Sequence, residues 1–84
     1  MGKTELLELL EQVEQQVAHD LELITRQRKV LAELDRQEVD NDALQIMLVG
    51  LENLLVAHLQ EREKLRAMLA KLEGSTREPK LPDR

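Results

Sequence analysis

"LQIMLVGLENLLVAHLQEREKLRAMLAKL", residues 44–72, decides the fold. Leu44, Leu48, Leu51, Leu55, His58, Arg62, Leu65, Leu69 and Leu72 recur at alternating steps of four and three. That spacing is a heptad seam, which a long helix presents to another long helix. Asp42 to Glu73 therefore reads as one helix, with Gly74 as its stop and "GSTREPKLPDR", residues 74–84, as a disordered tail.

Upstream, residues 4–37 contain neither Gly nor Pro. Thr4 is a candidate N-cap, with Glu5 and Glu8 in the first turn at the positive end of the helix dipole. Leu6, Leu10, Val13, Val17, Leu21, Ile24 and Leu31 form one apolar stripe, with a gap of seven around Arg28. Between the two periodic segments, Asp40, Asn41 and Asp42 offer caps for a second helix, which favours a turn at 38–41 over one continuous rod. Residues 1–3 are expected to be disordered.

Two helices of about 33 residues, each roughly 50 Å long, joined by a short break, imply an antiparallel helical hairpin, an all-α fold. With the turn near residue 40, the numbers of facing residues should add to about 78 or 79. Val17 then meets Arg62, Ile24 meets Leu55 and Leu31 meets Leu48. Glu8 falls near Lys71, and Glu14 near Lys64 and Arg66.

Composition limits the rest. A chain of 84 residues with no Cys, Phe, Tyr or Trp builds its core from Leu, Ile, Val, Met and Ala, which suits interlocking helices better than sheets. Chains this short need staples, metal, oligomerisation or very regular helix packing to be stable, and disulfides are excluded. Lack of cysteine fits a reducing compartment. The net charge is -5 and no segment is a basic patch, so the clustered cations and stacking aromatics of nucleic-acid binding are missing. Gln45, Glu52, Asn53 and His58 interrupt the most apolar region, which argues against a membrane span. Neither a myristoylation pattern nor a signal peptide is matched, and the expected location is cytoplasmic.

That apolar region carries more than a hairpin needs. Twelve of the seventeen residues from Ala43 to Leu59 are apolar. One partner helix covers a stripe of roughly 100°. Met47 and Leu54 widen the seam, while Ile46, Val49 and Val56 lie outside it. Each fully buried Leu, Ile or Val is worth ~1.5 to 3 kcal/mol, so the surplus is comparable to the stability of a small domain. Gly50 offers a place for another backbone to come close. The self-association surface is thus Ile46, Met47, Val49, Gly50, Leu54 and Val56, and two hairpins in a dimeric four-helix bundle are the simplest closure. A homotetramer satisfies the same requirement. The alternative is an adaptor or small secretion-type chaperone whose partner supplies the missing helices.

His58 and Arg62 interrupt the seam of the second helix, and the register brings both towards Asp20. A carboxylate accepts from imidazolium and guanidinium together, so the three can form one polar layer that fixes register. A metal site would draw on His19, Asp20, His58 and Glu61, but neither helix has the Glu-x-x-His order of bundle metal sites, and His19 points away from the stripe. No cofactor and no catalysis are expected: there is no phosphate-binding Gly-rich loop, and Ser75, the only serine, lies in the tail. Met1, Met47 and Met68 are expected to fill core.

"ITRQRKVLAELDRQEVDNDAL" and "LLVAHLQEREKLRAML" together resemble a group of small proteobacterial helical-hairpin proteins of unknown function. The shared elements are Arg26, Gln27 and Leu34, then Asp40, then His58, Arg62 and Leu65, over roughly residues 10–72. The resemblance implies a hairpin and no activity. That group commonly has Gly before the turn Asp where this chain has Glu38, which counts against a left-handed end to the first helix.

Overall fold

The computed structural model describes residues 2–77 and is all-helical: two helices, α1 (Lys3–Arg36) and α2 (Asp42–Arg77), pack against each other along their length. Their direction and register follow from cross-helix pairs. Arg66 meets Glu14, Arg28 meets Glu52, and Lys3 meets Glu73, so the end of α2 lies beside the start of α1. Glu14 takes Arg66 as its partner and not Lys64, and no pairing of Glu8 with Lys71 occurs among the described ion pairs.

α1 starts two residues earlier than its sequence suggests. Gly2, in extended conformation, is the N-cap in place of Thr4, and the Glu5 carboxylate accepts from the Gly2 N–H at 2.6 Å. Glu5 reaching back in this way satisfies a donor that the helix itself leaves open, so Thr4 becomes an interior residue. Lys3, expected in a disordered segment, is the first helical residue.

The apolar stripe of α1 is also more regular than its leucines imply. Leu6, Val13, Val17, Asp20 and Ile24 are buried, and Leu10, Gln27, Leu31 and Leu34 are half-buried, in unbroken steps of three and four. Leu21 is not in the seam; it is exposed, and Asp20 takes its place. A heptad continued from Val13 and Val17 lands on 20 and 24, and the stripe keeps that phase because Asp20 finds a partner across the interface. Gln27 fills the gap of seven.

At the other end, α1 closes with a left-handed residue after all. Glu38 has φ 58°, its N–H donates to the Asp35 carbonyl at 3.1 Å, and the Val39 N–H donates to the Leu34 carbonyl at 3.0 Å. This is the paired Schellman arrangement that glycine usually completes. Asn41 then anchors the turn: buried, it donates to the Asp35 carboxylate at 2.7 Å and accepts from the Gln45 side chain at 2.8 Å, while its carbonyl accepts the Gln45 N–H at 3.0 Å. One side chain thus ties the last turn of α1 to the first turn of α2.

α2 passes through Gly74, which keeps a negative φ, and continues to Arg77. A glycine stops a helix by turning left-handed, and without that turn it is only a weak helix residue. The tail expected over 74–84 is therefore helical in its first four residues, and residues 78–84 lie outside the described residues. The best-packed cluster sits far from the turn: Leu6, Val13 and Leu65 are buried, with Leu9, Leu10, Leu69 and Leu72 against them. Near the turn, Leu31, Leu34, Leu44, Leu48 and Leu51 are only half-buried.

Candidate functional site

Midway along the interface lies the polar layer. Asp20 on α1 is 2% exposed, and His58 on α2 approaches it with Nδ1 at 2.5 Å from Oδ2. The ring N–H donates to the carboxylate, a geometry open to imidazole with one proton or two. Arg62, one turn further along α2, is half-buried but does not join Asp20 among the described hydrogen bonds and ion pairs. Its Nε is buried without a partner. The expected triad is a dyad with a guanidinium beside it, because the heptad step sets Arg62 opposite Val17, a layer away from Asp20.

The other polar candidates do not converge there. His19 and Glu61 are exposed, and among the described residues no three His, Cys, Asp or Glu side chains come together in a way that could hold a metal ion. The dyad links the two helices through the Asp20 carboxylate and the His58 ring.

The two edges of the hairpin differ. Along one edge Glu14 pairs with Arg66 at 3.0 Å and Arg28 with Glu52 at 2.7 Å, with Leu21 and Leu59 at the corresponding positions between them. The helical phase puts Leu9, Leu23 and Val30 of α1, and Met47, Leu54 and Met68 of α2, along the opposite edge. Val30, Met47, Leu54 and Met68 there are exposed. Met47 and Met68 are thus surface residues and not core filler: each stands one step outside the seam, where a single partner helix does not reach.

That apolar edge runs on around the back of α2. Ile46 is 73% exposed, and Met47, Val49 and Val56 are each half exposed or more. Leu54 and Gly50 are exposed as well, so all six residues of the sequence-derived surface lie outside the hairpin core. A Cβ added at Gly50 would meet nothing within 4 Å, so packing inside the hairpin does not require glycine there. Glycine in a helix interior costs about 1 kcal/mol relative to Ala. Gln60, Glu61, Glu63 and Lys64 on the same side are exposed and polar, and beyond them Met68 is the one large exposed apolar residue of α2 among those described. The patch is therefore concentrated in the turn-proximal half of α2, the half whose inner side is also the less well sealed.

By length and composition alone, α2 over Asp42–Gly74 is apolar enough to cross a membrane, with a mean hydropathy of 1.3 over its most apolar window. The core helix of a soluble protein passes the same test when it is mostly buried, and no part of this window is buried within the hairpin. Glu52 within that window is engaged by Arg28 of α1.

No family model matches the chain, and no curated protein or solved structure is significantly similar to it.

Sequence reasoning located the back of α2 but missed the apolar edge contributed by α1. Val30 and Leu23 fall outside the apolar stripe of α1, and only the observed phase of that helix brings them beside Met47 and Leu54.

Proposed function

We propose that this protein is a non-catalytic, cytoplasmic interaction or scaffold protein that self-associates through the back of α2, two hairpins closing into a four-helix bundle. The observation that carries the reading is the exposure of Ile46, Met47, Val49 and Val56 on a helix whose other side is already engaged by α1. Soluble monomers seldom leave so contiguous an apolar face in water. Covering these four side chains together with Leu54 contributes several kcal/mol, enough to decide between a marginal hairpin and a stable assembly. Kinship with the small proteobacterial hairpin proteins belongs to the same proposal and rests on the Arg26, Gln27, His58 and Arg62 pattern.

Molar mass by light scattering across a wide dilution series, with helicity by circular dichroism on the same samples, tests it. A dimer or tetramer of 9.7 kDa units that stays helical when dilute is the expected result. A well-folded monomer at high concentration would overturn it and hand the surface to a heterologous helix.

A further inference from the structure

The geometry points to a particular closure: two copies cross their α2 helices antiparallel, about a two-fold axis that passes beside Gly50. This rests on the self-association reading and specifies its partner surface.

Four observations converge. First, uncovered apolar side chains lie on both sides of Gly50: Ile46, Met47 and Val49 before it, Leu54 and Val56 after it, with Ile46 and Leu54 each four residues away. A two-fold axis at Gly50 lays Ile46 against Leu54 of the second copy and the reverse, so one patch complements itself. Second, Gly50 is exposed and a Cβ there would have open space within the hairpin, so its lack of a side chain matters only to something approaching from outside. A backbone crossing is the approach that lack permits.

Third, the area suffices. Ile46, Met47, Val49, Leu54 and Val56 are each 45% to 73% exposed, and two such faces offer an area on the order of the ~1,200 Å² at which stable interfaces begin.

Fourth, charge selects the direction. In a parallel pairing each residue of the outer face meets its own copy, setting Glu63 against Glu63, Lys64 against Lys64 and Lys71 against Lys71. Like charges facing across helices are unfavourable. In the antiparallel crossing at Gly50, residues from Gln60 onward run past the turn of the second copy and escape that conflict.

The chain has no cysteine, so single introduced thiols report distances cleanly. Ala43 and Ala57 are exposed, each two turns from Gly50 on its own face, and neither occupies the crossing point. Ala43→Cys and Ala57→Cys are prepared in the full chain, mixed, unfolded, refolded together and oxidised, with light scattering on the reduced proteins. Antiparallel crossing at Gly50 gives the mixed disulfide as the dominant product, severalfold above either self-linked species. Self-linked species from each variant alone, in a chain that is dimeric, would establish a parallel pairing and overturn the inference. A dimer with no disulfide in either format places the interface elsewhere and also overturns it.

A reduced chain that is monomeric removes the self-association reading itself. If that monomer binds phosphatidylcholine and phosphatidylglycerol vesicles, the face belongs to lipid. Gly50→Ala provides a second readout. The crossing predicts at least a tenfold weaker dimer, whereas a glycine that is merely tolerated predicts equal or tighter association with higher helicity.

Discussion

Asp20 and His58, 38 residues apart in the chain, form the only described side-chain tie within the seam itself; the other cross-helix ties are exposed. The layer on one side of this pair has Ile24 buried, and the layer on the other has Val17 buried beside the half-buried Arg62. Replacing His58 by Leu leaves the buried Asp20 carboxylate without its hydrogen-bond partner, and a cost of about 3 kcal/mol is expected unless Arg62, one layer away, turns to take that place. Asp20→Leu combined with His58→Leu should be neutral or more stable by about 1 to 4 kcal/mol, while losing some uniqueness of register. Urea melts of both single variants and the double variant measure the coupling, and amide cross-peak dispersion reads the register. An unchanged midpoint for His58→Leu would show that the pair holds nothing.

Glu38 carries a left-handed backbone without being glycine. That conformation costs an L-residue roughly 1 to 2 kcal/mol, so Glu38→Gly should stabilise the hairpin by about 1 kcal/mol net of the added freedom of the unfolded chain. Thermal melts at matched concentration show it as a higher Tm. A lower Tm would mean that the Glu38 side chain contributes more than its backbone costs.

The two faces of the molecule should respond oppositely to charge. Val13 is 1% exposed, and Val13→Asp should abolish helicity at all concentrations, as should Leu51→Asp or Leu55→Asp in the seam. Val56→Asp should keep helicity largely intact at high concentration and weaken association. Equal helicity loss in all four variants would remove the distinction between an inner and an outer surface.

The edge pairs are weak supports. Arg28 with Glu52, and Arg66 with Glu14, are exposed, and each should contribute under ~1 kcal/mol, less as salt is raised. A double-mutant cycle on Arg28→Ala and Glu52→Ala, repeated at low and high salt, measures this. A coupling well above 1 kcal/mol that ignores salt would assign the pair a larger part in holding the register.

Periodicity carried the reading of the α2 seam, because nine positions in steps of four and three leave one phase open, while the short capped break between two helices of similar length carried the direction of the hairpin. α1 was harder. Asp20 and Leu21 are neighbours, and choosing the leucine is sound until the carboxylate has a partner, which only the fold supplies. Gln27 shows the same thing on a smaller scale: a polar residue keeps the phase when it is half-buried and its neighbours in the seam do the packing. The left-handed Glu38 left no trace, since the hydrogen bonds that hold it come from backbone groups that every residue has. Gly74 misled in the opposite sense, its helix-ending role depending on a φ it does not adopt.

The position of the best-packed cluster bears on how the chain reaches its structure. Leu6, Val13 and Leu65 lie far from the turn, so the most rewarding contacts close the longest loop. A chain zipping outward from the Asn41 turn gains little from half-buried leucines until it has passed the Asp20 and His58 layer. The rate-limiting ensemble should then contain most of both helices, with denaturant sensitivity concentrated in the folding arm of the chevron. Substitutions near the turn would alter how fast the hairpin forms, and substitutions at Leu6 or Leu65 how long it lasts.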